Sequence, residues 1–149
     1  MGTPIVNDVN VLLADSAVIY QTLRNFHWNV KGSRFIELHA HFEELYTEWA
    51  VIIDDLAELI LTLRERPLST LAEFVQVAKI TEPDASKVKS AEQMLEHLVA
   101  IFKDIIARIT ITVNNMNGDT ASVYTARTFR EELMARLNQQ LWMLISLID

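Results

Sequence analysis

Apolar residues recur along the chain at steps of three and four, the spacing that places side chains on one face of an α-helix. A first segment, about 7 to 31, carries such a stripe, and a second, about 35 to 65, carries a stricter one. In the second segment steps of four and three alternate throughout, as the packed seam of a helical bundle requires. Its apolar positions are Leu38, Phe42, Leu45, Trp49, Ile52, Leu56, Leu59 and Leu63.

The second half of the chain predicts two further long helices. One opens at Ser90 with a capping-box pattern and continues until Gly118 stops it. The other starts after Asp119 and keeps its apolar stripe to Ile148. The run 109–113 is rich in β-branched residues, but it lies inside the longer helical pattern and is assigned to the helix.

The stretch from Pro67 to Ser90 is too long for an idle loop in a compact domain. Thr70 and Glu73 form another capping-box pattern, and apolar residues follow it, so a short amphipathic helix is predicted there. Short turns at 32–34 and 117–119 on either side of this crossover give the connectivity of a ferritin-like four-helix bundle. The predicted fold is therefore all-α: four long helices with a short extra helix between the second and third, in one domain spanning residues 1–149.

Composition narrows the range of partners. The 149 residues, half of them hydrophobic, suffice for one core, and the formal net charge of −7 favours cations over phosphate backbones. No basic segment precedes an apolar stretch at the N-terminus, and no apolar run reaches the roughly 18 residues of a membrane span, so a cytoplasmic protein without membrane contact is expected. There is no cysteine, so a metal site must use His, Asp and Glu.

Two histidines on either side of Gly32 are the first candidates for such a site. His27 lies about six residues before the turn and His39 about six after it, so an antiparallel hairpin brings both to one level. A single histidine is more often a packed, hydrogen-bonded residue than a ligand, and that alternative stays open for each.

Asp54 and Glu58 follow one turn apart on the second predicted helix. Like charges at this spacing repel by a few tenths of a kcal/mol unless a cation or water compensates them, and a solvated acidic face is the simpler alternative. His39 and Asp54 are 15 residues apart, which is about 22 Å along a helix, so one chain cannot use both on one ion.

A two-fold axis removes this difficulty. If two copies of the second helix cross antiparallel near residue 48, His39 of one chain approaches Asp54 and Glu58 of the other, and two equivalent sites arise. Two histidines with two carboxylates suit divalent first-row metals, especially iron, with manganese or zinc less selectively. Glu43, one turn after His39, is an additional ligand or an outer acceptor. The Glu-x-x-His motif of intrachain di-iron bundles is absent from the sequence.

These stretches closely resemble the Dps miniferritins, the DNA-binding proteins from starved cells. The resemblance is densest from 26 to 74 and rests on HWNVKG at 27–32, Leu38-His39, Asp54, Ala57-Glu58 and PLSTLAEF at 67–74. It implies a hollow dodecamer built from two-fold dimers of four-helix subunits. It also implies oxidation of Fe(II), preferably by hydrogen peroxide or else by oxygen, storage of the ferric product and protection against oxidative stress.

The resemblance also implies roles for individual residues. Carried over, His27 and His39 come from one subunit and Asp54 and Glu58 from the other, and Glu43 occupies a position that the family often fills with an acid. Trp28 would lie beside the ferroxidase centre and intercept oxidising equivalents, although an aromatic packing anchor is an equal alternative.

Two departures and two alternatives accompany this hypothesis. No Lys or Arg precedes Arg24 and none follows Arg136, whereas DNA-binding members use a basic terminal tail, so DNA binding is not expected. The alternatives are a structural or nucleoid-associated cage with a vestigial site, and a zinc- or manganese-binding cage without turnover. The other departure is Leu59, which follows Glu58 where the family often has an arginine.

Overall fold

The computed structural model describes residues 4–87, 89–114 and 120–148, and every regular element in them is an α-helix. The helices are α1 (Pro4–Asn29), α2 (Phe35–Thr62), α3 (Leu71–Val77), α4 (Ala91–Asn114) and α5 (Ala121–Ser146). Four long helices and the short extra one are therefore confirmed, as is the helical state of residues 109–113. The predicted stop at Gly118 falls on 115–119, outside the described residues.

The chain divides into two compact units, Met1–Ala91 and Glu92–Asp149. The first holds α1, α2 and α3, and the second holds α5 and nearly all of α4. The single domain predicted over residues 1–149 stays a prediction. None of the helices in the described parts of the chain is long and apolar enough to span a membrane.

In the first unit, α1 and α2 form a hairpin that closes at Gly32. This glycine has a φ of +109°, a conformation that L side chains rarely adopt, and its carbonyl accepts a bond from the amide of Phe35 at 3.1 Å. Near the turn the rings of Phe26 and Phe42 pack with centroids 6.2 Å apart. The predicted stripe of α2 is buried from Leu38 to Leu59, so the hairpin fixes the register in which residues of the two helices meet.

The C-terminus of α2 ends in a tight reversal without glycine. The amide of Glu65 donates a hydrogen bond to the carbonyl of Ile60 at 3.3 Å, and the amide of Arg64 donates to the carbonyl of Leu61 at 3.0 Å. This is the pattern of a Schellman motif. Arg64 takes the left-handed conformation that glycine usually supplies, with φ of 63°. The reversal directs the chain back towards α1, where Asn10 accepts from the amide of Leu68 at 2.9 Å.

The short helix α3 is held at both ends. At its start the Thr70 hydroxyl accepts from the amide of Glu73 and the Glu73 carboxylate accepts from the amide of Thr70, the predicted capping box. Arg66 adds a two-pronged contact to Glu73 at 2.9 and 3.2 Å. Just after its end, buried Asp15 of α1 accepts from the amides of residues 79 and 80. The helix is thus anchored to α1.

Acid is expected to weaken the attachment of α3 over a defined pH range. The hydrogen bond from Arg66, followed by those from the amides of Ser69 and Thr70, lowers the pKa of Glu73 to about 2. Because this lies below the value of about 4.3 in an unfolded chain, the ionised carboxylate stabilises the fold above that pH. The contribution is lost as pH falls from about 4.3 towards 2.

Thermal unfolding midpoints of wild type and Glu73→Gln, measured between pH 6 and pH 2, test this expectation. The wild type should have the higher midpoint at pH 6. The difference between the two midpoints should shrink as pH falls from about 4.3 towards 2. A difference that stays constant down to pH 2 contradicts it.

In the second unit, α4 and α5 each bury an apolar stripe. Buried positions of α4 include Met94, Leu98, Ile101, Ile105 and Ile109, and those of α5 include Val123, Ala126, Leu133, Leu137 and Leu144. The N-cap of α5 is Thr120, whose hydroxyl accepts from the amide of Val123 at 3.3 Å. This unit supplies none of the residues predicted for the metal centre.

Candidate metal centre

His27 and His39 meet where α1 and α2 flank the hairpin turn. Their rings stack with centroids 3.8 Å apart and an interplanar angle of 14°. His27 is buried and His39 is partly exposed. The hairpin register therefore brings the two predicted histidine ligands together.

Each histidine is oriented by the backbone of the other. Nδ1 of His27 lies 2.7 Å from the carbonyl oxygen of His39, and Nδ1 of His39 lies 2.7 Å from the carbonyl oxygen of His27. A carbonyl oxygen only accepts, so each Nδ1 carries the proton and donates. In the neutral ring Nε2 then keeps its lone pair, which is the arrangement found in metal-binding histidines whose other nitrogen is hydrogen-bonded.

Glu43 is the carboxylate that this chain brings to the histidine pair. Its Oε1 lies 3.8 Å from Nε2 of His27, and its side chain is 58% exposed. The hydroxyl of Tyr46, one turn further along α2, donates to the same oxygen at 3.4 Å. Partial burial, and after it the charge of Glu43, raise the pKa of Tyr46, so the phenol remains a donor at neutral pH.

An aromatic ring packs against each histidine of the pair. Phe35 stacks on His39 with centroids 4.8 Å apart, and Tyr46 meets His27 edge-on at 5.3 Å. Tyr20 in turn packs edge-on against Tyr46 at 6.0 Å. The contacts of Phe35 and Tyr46 restrict the orientations of the imidazole rings.

Trp28 follows His27 directly but points towards the surface. It is 57% exposed, and the guanidinium carbon of Arg24 lies 4.9 Å from its ring centroid. The same guanidinium lies 5.4 Å from the ring of Tyr20, so a cation–π contact joins these aromatic side chains. The residue that directly follows a predicted ligand therefore carries an exposed indole.

Asp54 and Glu58 are exposed on α2. Helix rise separates His39 from Asp54 by about 22 Å. Within the described residues of one chain, no group of three or more His, Cys, Asp or Glu side chains is arranged to hold a metal ion. The chain alone presents a histidine pair with one nearby carboxylate, and the assignment of Asp54 and Glu58 as ligands stays a prediction.

His41 lies on a different side of α2 from His39. Its Nδ1 is 3.9 Å from a carboxylate oxygen of Glu44, and burial lowers the pKa of His41 despite that charge. Two residues on a helix diverge by about 200°, which explains why the His-x-His sequence does not form a chelating pair.

Sequence reasoning assigned no role to Tyr46 and Tyr20. A signal was present, because Tyr46 follows His39 by seven residues and Tyr20 precedes His27 by seven. Seven residues make two helical turns, so each tyrosine lies on the same face as its histidine. The hydrogen bond from Tyr46 to Glu43 adds the i, i+3 spacing of neighbours on a helix.

Comparison with known proteins gives consistent results along the chain. Residues 6–149 match the family model of the ferritin-like domain. The DNA protection during starvation protein of Brevibacillus brevis is 36% identical over 153 residues, which cover 100% of both proteins.

Solved structures agree. The crystal structure of Dps from Staphylococcus aureus is similar with a TM-score of 0.89 and 32% identity, over 97% of this chain and 95% of that one. The crystal structure of a Dps protein from Vibrio cholerae O1 is similar with a TM-score of 0.86 and 31% identity, over 95% of this chain and 87% of that one. That protein is called a member of a broad superfamily of ferritin-like diiron-carboxylate proteins.

These similarities confirm the predicted fold class, a ferritin-like four-helix bundle with a short extra helix between its second and third long helices. Identity above 30% extends over nearly the whole chain. The chain belongs to the Dps family of ferritin-like proteins.

Proposed function

We propose that this protein oxidises Fe(II), preferably with hydrogen peroxide, and stores the ferric product inside a hollow homo-oligomer. The observation that carries the proposal is the reciprocal pair of hydrogen bonds between His27 and His39, which leaves a lone pair on each Nε2. Such bonds also satisfy a packed histidine, but here the two rings stack at 3.8 Å with a carboxylate nearby, which brings several potential ligands together.

The remaining ligands come from a second subunit in this proposal. Asp54 and Glu58 of the partner subunit face the histidine pair across a two-fold axis near residue 48, and the symmetry repeats the site twice per dimer. Two observations support this: the described residues of one chain complete no metal site, and the carboxylates are exposed rather than internally paired. Six such dimers would form the dodecamer that the family resemblance implies.

The ligand set determines the chemistry. Carboxylates neutralise and hold Fe(II), and imidazole nitrogens fill the remaining positions. Two Fe(II) ions give one electron each, and one hydrogen peroxide accepts both electrons with two protons to form two water molecules. No protein nucleophile or general base is needed. Because both electrons are delivered together, no hydroxyl radical is released, and the activity protects the cell against oxidative stress.

Trp28 has a protective role in this scheme. When only one Fe(II) is present, peroxide receives one electron from iron and lacks the second. An exposed indole next to His27 is placed to donate that electron, so the oxidising equivalent ends on the protein. The net charge of −7 favours cation entry over contact with nucleic acid, so protection through iron removal is proposed in place of DNA binding.

The experiment is Fe(II) oxidation by the purified oligomer, followed by ferric absorbance, with peroxide under argon and separately with oxygen. A spin trap measures hydroxyl radical in the same samples. We expect oxidation well above the buffer rate with peroxide, slower oxidation with oxygen, and less trapped radical than in buffer. Rates equal to those of iron in buffer would remove the ferroxidase assignment. Tight stoichiometric zinc or manganese binding would then favour a metal-buffering cage.

A further inference from the structure

We propose that Tyr46 is a positioning residue whose hydroxyl holds the carboxylate of Glu43 beside His27, so that Glu43 serves as a metal ligand from the same subunit as the histidines. This inference rests on the proposed function and extends it to a residue outside the predicted ligand set.

The ring of Tyr46 is held in place by two rings of α1. It meets His27 edge-on at 5.3 Å with an interplanar angle of 80°, and Tyr20 edge-on at 6.0 Å with an angle of 88°. Tyr20 and His27 are two turns apart on α1, whereas Tyr46 belongs to α2. Contacts from the opposite helix therefore define where the phenol oxygen lies, and edge-to-face packing at these distances is favourable.

One oxygen of Glu43 accepts from the phenol and lies near the histidine. Its Oε1 lies 3.4 Å from the hydroxyl of Tyr46 and 3.8 Å from Nε2 of His27. A phenol has one proton to donate, so it restrains the carboxylate through this oxygen and leaves Oε2 available for a metal ion. At 3.4 Å the bond is long for O–H···O, as in catalytic hydrogen bonds that tighten only when the ligand arrives.

The hydrogen bond from Tyr46 matters because the side chain of Glu43 is largely exposed and has few contacts that would fix its rotamer. Its side chain is 58% exposed, and an exposed glutamate samples many rotamers that must be given up when it binds a metal. A hydrogen bond from a ring that is itself held in place restricts these rotamers beforehand, so less side-chain conformational entropy is lost when the metal binds. Tyr46→Phe keeps the ring and its packing but removes the donor, so it separates positioning from packing.

Cobalt(II) is the probe, because it resists oxidation under these conditions and its visible absorption reports ligand number. The purified oligomer is titrated with cobalt(II) as wild type, Tyr46→Phe, Glu43→Ala and the double variant. We expect Tyr46→Phe to weaken cobalt(II) binding about tenfold, a typical effect of removing an outer-shell partner, and to change the absorption spectrum. In the Glu43→Ala background the same substitution should have no further effect. For Fe(II) oxidation, KM should rise more than kcat falls.

Tyr20→Phe is the matched control, since it removes a hydroxyl from the adjacent ring, and circular dichroism checks the fold of each variant. It should bind cobalt(II) as the wild type does. Unchanged affinity and spectrum in Tyr46→Phe, alongside a wild type that binds cobalt(II) and oxidises iron, overturns the positioning role and leaves the proposed function standing. An equal loss in the Glu43→Ala background overturns it too. A wild type that neither binds cobalt(II) nor oxidises iron removes the proposed function and this inference together.

Discussion

Replacing both histidines, as His27→Ala with His39→Ala, is expected to lower the rate of peroxide-driven Fe(II) oxidation by about two orders of magnitude or more. The reason is that, among the residues that the structure describes, one chain brings only this pair and one carboxylate together, so no neighbouring histidine can take over their role. Asp54→Ala with Glu58→Ala should cause an equal loss, although these residues lie about 22 and 28 Å along α2 from His39. His41→Ala is the matched control and should retain the wild-type rate, because its side chain faces Glu44 instead.

Mixing the two inactive double variants tests the two-fold arrangement quantitatively. A mixed dimer has one site with both intact halves and one site with neither. If subunits exchange at random in an equal mixture, half of the dimers are mixed, and about one quarter of the wild-type rate should return. Native mass spectrometry verifies that exchange has occurred. Complete exchange without recovered oxidation would show that the carboxylates do not complete the histidine site across a dimer.

Helix positions followed closely from periodicity, because an amphipathic stripe depends on local spacing alone. The stripe from Leu38 to Leu59 is buried as predicted, and Thr70 and Glu73 form the predicted box. The pairing of His27 with His39 was also predictable, because the turn at Gly32 sets the register of the two helices. The helix positions depend only on residues close in sequence, and the histidine pairing depends only on residues at equal distances before and after one turn.

Features that depend on tertiary packing could not be predicted in the same way. The bond from each histidine to the carbonyl of the other requires an exact rotation of both helices, which periodicity does not define. Arg64 occupies a left-handed position where no glycine marks the helix end, because the following chain is tied down elsewhere. Asp15 looks from sequence like a polar interruption in an apolar stripe, and its partners lie more than 60 residues away.

Asp15→Ala is expected to destabilise the fold by about 2–4 kcal/mol, although Asp15 is remote in sequence from the candidate centre. Its side chain is fully buried, and its Oδ1 accepts from the amides of Lys79 at 2.7 Å and Ile80 at 2.9 Å. Alanine would leave these amides without their acceptor in a region that also buries Ile80. The measurement is chemical denaturation, combined with hydrogen exchange of the two amides.

Asp15→Asn provides the matched control, because both amide bonds reach one oxygen and asparagine retains an acceptor at that position. It should therefore lose much less stability than alanine, and the amides of Lys79 and Ile80 should remain protected from exchange. Equal losses in the two variants would mean that the negative charge, rather than the pair of amide bonds, stabilises the segment after α3. If the amides stay protected in Asp15→Ala, the anchoring of α3 to α1 does not depend on Asp15, and contacts along the helix itself must hold it.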